Sequence, residues 1–219
     1  MVDVKICGLS TPETLDAALD AGADMVGFVF FARSPRNLSL EMARNLAARV
    51  EGRARTVALT VDADDRMLDA IVEALAPDVL QLHGAETPER VAAVRAQAGR
   101  PVMKAIGVAE RSDVARAAAY EGHADTILFD AKPPRGAVLP GGNGRAFDWT
   151  VLGDLAPSLR WMLSGGLHAG NIADALDVTR APRVDVSSGV ETAPGIKDPQ
   201  RIRDFVAAVR RVSPTAGIV

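Results

Sequence analysis

Short apolar runs rich in β-branched residues alternate along the chain with longer amphipathic runs. A short β-branched run predicts a strand, and apolar residues at helical spacing predict a helix. Strands are predicted to begin near eight positions, which are Val2, Met25, Thr56, Asp78, Pro101, Asp125, Arg160 and Arg183. This strict alternation predicts a parallel sheet that is covered by helices.

The segment that follows the first strand carries clear helix start and stop signals. Ser10 or Thr11 can cap the helix, and Gly22 can end it. Similar patterns predict helices over residues 87–98 and 112–120. The helices are therefore predicted to follow their strands after short turns, as in compact β/α units.

Eight strand–helix units decide the predicted fold class. The 219 residues allow about 27 residues per unit, which suits a (β/α)8 TIM barrel. We therefore predict an α/β protein with one barrel domain over residues 1–219, and an open doubly wound sheet is the alternative. The glycine-rich stretch 134–144 follows the sixth strand and is predicted to form a lid or substrate-covering loop over the catalytic face.

Composition and charge narrow the partners of the protein. The net charge of −3 and the absence of basic blocks give no reason to expect nucleic acid or a membrane surface. The single cysteine excludes an internal disulfide and fits a reducing compartment. The first residues show no signal-peptide pattern, so we expect a cytoplasmic protein.

The first predicted strand ends in Lys5-Ile6-Cys7-Gly8. Barrel enzymes build their active sites at the carboxyl ends of the strands. Because side chains alternate along a strand, Lys5 and Cys7 are predicted to point into the barrel. Cys7 is then either a small buried hydrophobic residue or a catalytic thiol.

The sixth predicted strand ends in Asp130 after an apolar run. A carboxylate in such surroundings is poorly solvated, so it can hold a proton and act as a general acid. The alternatives are a helix cap or a salt bridge with Lys132. Of these interpretations we favour a catalytic role for Asp130.

Three loops are candidate anion sites. Arg33 and Arg36 follow the second strand, and Arg36 is the better candidate because Pro35 stiffens the chain before it. The loops after the seventh and eighth strands are rich in small residues, whose backbone N–H groups can approach a phosphate, or they are simply tight turns. The candidates are Gly165, Gly166, Ser187, Ser188 and Gly189.

The remaining pocket candidates are Gln81 and His83, which share a face at the end of the fourth strand, and Gly142. A structural histidine is an equally good interpretation of His83. No cluster has metal-ligand spacing and no dinucleotide fingerprint is present, so we expect neither a metal nor a cofactor.

These motifs together resemble the phosphoribosylanthranilate isomerase family of tryptophan biosynthesis. The resemblance runs through the whole chain in the family's order. One departure is Asn143, where the family commonly has threonine. The matching stretches are 5–8, 27–30, 34–36, 81–84, 129–130, 140–144, 147–149, 163–167, 185–191 and 194–198.

The resemblance implies an Amadori rearrangement of N-(5'-phosphoribosyl)anthranilate to 1-(2-carboxyphenylamino)-1-deoxyribulose 5-phosphate. By this resemblance Asp130 is the general acid, Cys7 as thiolate is the base, and Arg36 holds the anthranilate carboxylate. The loops after the seventh and eighth strands would bind the phosphate. Lys5 lies two residues from Cys7, and we expect its positive charge to lower the pKa of the thiol.

Other functions are less consistent with these residues. The related histidine-pathway isomerase uses an aspartate where this chain has Cys7, pentose-phosphate epimerases need metal-ligating histidines, and indole-glycerol-phosphate synthase needs a different lysine and glutamate pattern. A non-catalytic phosphate-ligand sensor is the alternative from another class. A small phosphorylated substrate is the expected partner, and both a monomer and a homodimer are compatible with the sequence.

Overall fold

A closed barrel of eight parallel strands forms the centre of the protein. The computed structural model describes residues 1–133, 136–137, 139–142, 144, 146–153, 155 and 160–212. Each strand begins within one residue of its predicted position, and closure excludes the open sheet. The strands are β1 (Asp3–Cys7), β2 (Met25–Phe30), β3 (Arg55–Thr60), β4 (Val79–Leu82), β5 (Val102–Val108), β6 (Thr126–Ala131), β7 (Trp161–Leu163) and β8 (Arg183–Val186).

Helices surround the barrel, and a small antiparallel hairpin of β9 (Glu191–Ala193) and β10 (Ile196–Lys197) follows β8. Within the described residues, no helix is long and apolar enough to cross a membrane. The helices are α1 (Pro12–Asp20), α2 (Leu40–Val50), α3 (Asp65–Leu75), α4 (Pro88–Ala98), α5 (Arg111–Ala115), α6 (Ile172–Thr179) and α7 (Pro199–Val212).

The local signals place most helix ends as predicted. Thr11, not Ser10, caps α1, because its side chain accepts the backbone N–H of Thr14. The helix predicted over residues 112–120 is instead a short α5 followed by a 3₁₀ turn, Arg116–Tyr120. At the end of this 3₁₀ turn, the hydroxyl of Tyr120 donates to the carbonyl of Glu86 at 2.9 Å. The turn is thereby joined to the loop between β4 and α4.

The inward faces of the strands form an apolar layer below the mouth of the barrel. This layer consists of Met25, Val57, Val79, Met103, Ala105, Leu128 and Met162. Cys7, Val29 and Leu59 lie above it, while the outward faces pack against the helices. Because this layer closes the barrel from below, the polar side chains at the strand ends face a pocket that opens at the carboxyl end.

Candidate active site

A single pocket at the carboxyl end of the barrel collects nearly all of the predicted site residues. Lys5 does not line it, because this side chain is completely buried beneath Cys7. Asn143 lies outside the described residues, as do positions 134, 135 and 138 of the predicted loop. The predicted residues that line the pocket are Cys7, Arg36, Gln81, His83, Asp130, Gly142, Gly165, Gly166, Ser187, Ser188 and Gly189.

Cys7 ends β1 and is only 4% exposed. Gly27 on the neighbouring strand leaves room for it, since a Cβ there would lie 3.2 Å from the Cys7 Sγ and from the Lys5 Nζ. Burial raises the pKa of the Cys7 thiol, and the positive charge of Lys5 lowers it without overcoming burial. The balance of burial and charge thus holds the pKa of the thiol above its ordinary value.

Lys5 is held by a carboxylate that the sequence interpretation did not single out. Its Nζ donates to Asp185 Oδ1 at 2.8 Å, and Ser164 Oγ donates to Asp185 Oδ2 at 3.3 Å. Burial lowers the pKa of Lys5, but Asp185 and Cys7 together raise it above its ordinary value. Lys5 is thus a fixed cation below the thiol.

Asp130 ends β6 and is 4% exposed. Its Oδ2 lies 3.3 Å from the Nε2 of His83, and its Oδ1 accepts the backbone N–H of Ala131 at 2.9 Å. The alternative of a salt bridge with Lys132 is wrong, because Lys132 Nζ binds Asp113 Oδ1 at 2.8 Å. The other carboxylate oxygen of Asp130 consequently faces a histidine at the pocket wall.

His83 connects Asp130 to a buried amide. The side-chain nitrogen of Gln81 lies 3.3 Å from His83 Nδ1. A Gln81 amide N–H that donates to Nδ1 leaves Nε2 as the ring nitrogen that faces Asp130. The Gln81 Oε1 is buried and has no hydrogen-bond partner among the described residues.

Arg36 is 5% exposed and its guanidinium is already paired on one edge. Its Nε and Nη2 donate to the two carboxylate oxygens of Glu191 at 2.7 and 2.8 Å, and Nη2 also lies 3.4 Å from the Gly142 carbonyl. Among the described residues, nothing binds the Nη1 edge, which is left to face the pocket. The Arg36 fork predicted for a ligand is therefore partly occupied by the protein itself. Arg33 is exposed.

Glu191 and Lys197, at the two ends of the β9–β10 hairpin, belong to this site although the sequence interpretation gave them no role. Lys197 Nζ binds Glu191 Oε1 at 2.6 Å. Burial raises the pKa of Glu191, but Arg36 and Lys197 lower it below its ordinary value. Burial lowers the pKa of Lys197. Both residues stood within the matched motifs, but a sequence does not reveal which side chains they meet.

The loops after β7 and β8 approach each other closely. Gly165 has φ +90°, and a Cβ there would lie 2.5 Å from the backbone nitrogen of Ala131. A Cβ on Gly189 would collide with the carbonyl oxygen of Leu167. Gly166, Ser187 and Ser188 complete this rim of the pocket. Small residues here are required by packing, which also leaves backbone groups open to a ligand.

The described residues contain no group of three or more His, Cys, Asp and Glu side chains that could hold a metal ion. The arrangement suits acid–base chemistry instead. A thiol on β1 and a carboxyl group on β6 line one pocket, with basic and small residues at its rim.

Comparison with known proteins identifies relatives of this chain. The family model described as N-(5'phosphoribosyl)anthranilate (PRA) isomerase matches residues 4–208. The N-(5'-phosphoribosyl)anthranilate isomerase of Bradyrhizobium diazoefficiens is 59% identical over 207 residues, which are 94% of this chain and 93% of that protein.

Solved structures agree with this similarity. The phosphoribosyl anthranilate isomerase of Thermotoga maritima has a TM-score of 0.87 and 35% identity, over 96% of this chain and all (100%) of the other. A phosphoribosyl anthranilate isomerase in complex with reduced 1-(o-carboxyphenylamino)-1-deoxyribulose 5-phosphate has a TM-score of 0.84 and 33% identity, over 96% and 100% of the two chains. This chain belongs to the N-(5'-phosphoribosyl)anthranilate isomerase family.

Proposed function

We propose that this site isomerises N-(5'-phosphoribosyl)anthranilate to 1-(2-carboxyphenylamino)-1-deoxyribulose 5-phosphate, a step of tryptophan biosynthesis, with Asp130 as general acid and Cys7 as general base. The observation that carries the proposal is the presence of Cys7 and Asp130 in one pocket, at the ends of β1 and β6. A sugar isomerisation needs one acid and one base around a substrate that is held at both ends.

The first step uses the proton of Asp130. This proton goes to the ring oxygen of the furanose as the bond between that oxygen and C1 breaks. The nitrogen lone pair forms the C1=N bond, which gives a protonated Schiff base. His83 and the Ala131 backbone N–H hold the Asp130 carboxylate in place for this transfer.

The second step uses the thiolate of Cys7, which forms when the thiol gives its proton to solvent. It takes the proton from C2, and the C–H electron pair forms a C1=C2 bond while the C1=N electrons return to nitrogen. The resulting enolamine becomes the ketone when its hydroxyl proton passes to solvent and C1 takes a proton from solvent. Asp130 regains a proton from solvent, and Cys7 is again a thiol because it has taken the C2 proton, so both groups return to their starting forms. The protonated Schiff base favours a thiolate nearby, and Lys5 supports that charge from below. No covalent bond to sulfur is formed.

Two anchors hold the substrate on either side of this chemistry. The Nη1 edge of Arg36 faces the pocket beside Gly142 and is suited to the anthranilate carboxylate. The loops after β7 and β8 are suited to the phosphate, because they offer backbone N–H groups and serine hydroxyls. Their residues are Gly165, Gly166, Ser187, Ser188 and Gly189. Gln81 holds His83 rather than the substrate.

Substitution of each catalytic residue tests this mechanism. Cys7→Ala and Asp130→Asn should each lower kcat by about 10²–10⁴-fold, because each removes one proton-transfer group. Binding of the reduced product analogue, which is reduced 1-(o-carboxyphenylamino)-1-deoxyribulose 5-phosphate, should persist in both variants. Turnover is followed by the loss of anthranilate fluorescence. Undiminished turnover in either variant would contradict its assigned role, and a wild-type protein that binds the substrate without consuming it would support the sensor alternative.

The partner of the protein under this proposal is a small phosphorylated molecule, with neither nucleic acid nor a membrane involved. We expect a cytoplasmic enzyme that is a monomer or a homodimer. Sedimentation equilibrium distinguishes the two assemblies, and fractionation of cells tests the location.

A further inference from the structure

The carboxylate of Glu191 is the centre of a buried polar cluster behind the pocket. It accepts two bonds from Arg36, one from Lys197 Nζ at 2.6 Å and one from the backbone N–H of Gly195 at 3.2 Å. Glu191 is 6% exposed and so is Lys197. Four donors on one buried carboxylate define its position closely, because a buried charge needs all of its partners.

Lys197 extends this cluster to the loop after β8. Its Nζ donates to the carbonyl of Ser187 at 3.0 Å and lies 3.2 Å from the Ser187 hydroxyl. Ser187 belongs to the loop that we assign to the phosphate. Arg36, on the other side of Glu191, belongs to the loop that we assign to the carboxylate.

The hairpin that carries Glu191 and Lys197 is also packed against the Arg36 loop. Gly195, in its turn, has φ +83°, and a Cβ there would lie 2.7 Å from the carbonyl oxygen of Pro35. Glu191 and Lys197 stand opposite each other in the β9–β10 pairing. The hairpin thus touches both loops at short range.

We propose that the Glu191–Lys197 pair is a positioning device that fixes both substrate anchors, with Glu191 orienting Arg36 for the carboxylate and Lys197 holding the Ser187 loop for the phosphate. The inference rests on the proposed function, because it takes Arg36 and the Ser187 loop as those anchors. Its consequence is selectivity for a ligand whose two anionic ends are separated by the distance that the cluster sets.

The orientation of Arg36 explains why Glu191 matters to binding rather than to folding alone. Glu191 occupies the Nε and Nη2 edge, which leaves Nη1 as the edge beside Gly142 and the pocket. A guanidinium is planar, so fixing one edge also fixes the direction of the other. Without Glu191, the Arg36 side chain would rotate away from the ligand carboxylate.

A similar buried pair elsewhere in the protein provides a matched control. Lys104 Nζ binds Glu86 Oε2 at 2.6 Å, with side-chain exposures of 3% and 4%. Lys104 also donates to the carbonyl of Gly84 at 2.7 Å, and none of these contacts involves Arg36 or Ser187. Lys104→Met should therefore cost stability as Lys197→Met does, without changing either anchor.

The experiment compares three ligands by isothermal titration calorimetry. These are the reduced product analogue, its counterpart without the carboxylate, and inorganic phosphate. The ratio of the first two affinities, called the carboxylate ratio, measures how much the ligand carboxylate contributes to binding. The affinity for inorganic phosphate measures the strength of the phosphate anchor. The proteins are the wild type and the variants Arg36→Met, Glu191→Gln, Lys197→Met and Lys104→Met.

We expect a crossed pattern. Glu191→Gln should reduce the carboxylate ratio by at least about tenfold, the loss typical of one weakened charged hydrogen bond, with phosphate affinity changed much less. Lys197→Met should weaken phosphate binding by a similar factor and keep the carboxylate ratio. Lys104→Met should leave both within about twofold of the wild type.

Three outcomes would overturn the inference. If Arg36→Met keeps the carboxylate ratio, the carboxylate role of Arg36 and this inference both fail. If Arg36→Met abolishes the ratio but folded Glu191→Gln keeps it, this inference alone fails. Equal losses in Lys104→Met would show that loss of stability, not positioning, explains the effects.

Folding of the single variants is checked by circular dichroism and urea unfolding. Removing one partner of a buried ion pair is strongly destabilising, whereas removing both charges is often tolerated. If Glu191→Gln does not fold, the double variant Glu191→Gln/Lys197→Met replaces it. The folded double variant should lose both anchors, and retention of both would contradict the proposal.

Discussion

At the scale of single residues, the pKa of the Cys7 thiol is controlled by charges that lie beneath it and beside it. Burial raises the pKa of Cys7, the cations Lys5 and Lys197 lower it, and Asp185 raises it. Lys5 and Asp185 form one ion pair at 2.8 Å, so they influence the thiol in opposite directions from nearly the same place. The pKa of the thiol therefore depends on opposing charges, and a single substitution can raise it or lower it.

This balance predicts opposite shifts in two variants. Lys5→Met should raise the pKa of Cys7 further, because the largest charge that lowers it is removed. Asp185→Asn should lower the pKa, because the carboxylate that opposes the thiolate is removed. The pH dependence of Cys7 alkylation by iodoacetamide reports the pKa of the thiol in each protein.

The rise of kcat/KM with pH reports the same ionisation in the free enzyme and should move in the same direction. Shifts of the same sign in both variants would show that loss of structure, not charge, dominates. An unchanged thiol pKa in Lys5→Met would refute the electrostatic role of Lys5.

At the scale of elements, the site depends on how tightly the loops after β7 and β8 meet. Gly189 allows this approach, since a Cβ there would strike the backbone of Leu167 in the loop after β7. Gly165 likewise lets the loop after β7 pack against Ala131 at the end of β6. The two loops come from adjacent strands of the barrel. Their closeness places small residues and backbone N–H groups along one rim of the pocket.

Gly189→Ala should therefore open this rim. We expect a loss of about 1–3 kcal/mol in the free energy of unfolding, which is typical of overpacking, and at least about tenfold weaker binding of inorganic phosphate. Urea unfolding and calorimetry measure the two effects. Gly107→Ala is the control, because a Cβ there would make only ordinary contacts, the nearest at 3.4 Å. Normal phosphate binding by Gly189→Ala would contradict a role for the loop after β8 in binding the phosphate.

At the scale of the whole molecule, buried ion pairs join distant parts of the chain around the mouth of the barrel. Lys5 and Asp185 connect β1 to β8, and Arg36 and Glu191 connect the loop after β2 to the hairpin. Such pairs stabilise the fold only while their carboxylates are ionised. Stability should therefore depend on pH in a defined direction.

Low pH should reduce the free energy of unfolding, in particular through protonation of Glu191. Its pKa is lowered in the folded state from an ordinary 4.5, so its stabilising contribution is present above that value and is lost as the pH falls through the lowered pKa. The free energy of unfolding in urea should accordingly decrease between pH 6 and pH 3 (about the range in which carboxylates titrate). Glu191→Gln should show a smaller decrease over the same range, and an identical decrease would contradict this assignment.

Much of the fold and part of the site could be predicted from local patterns. Alternation of side chains placed Lys5 and Cys7 on the inner face of β1, and the end of an apolar run placed Asp130 at the mouth. The 3₁₀ winding at Arg116–Tyr120 was not predicted, since five residues are too few for the apolar spacing to distinguish a 3₁₀ helix from the continuation of an α-helix. Asp130 is paired with His83 and not with Lys132, the alternative that the sequence left open, because His83 comes from another strand.

The sequence alone determined the order of the strands, the direction in which their side chains face and the family to which the chain belongs. These properties follow from local periodicity and from the residue types at strand ends. Only the tertiary structure decided which charges meet, such as Glu191 with Arg36 and Asp185 with Lys5, which lie 155 and 180 residues apart. The reason is that such pairs depend on closure of the barrel, which brings the two ends of the chain together, and no local pattern encodes that distance.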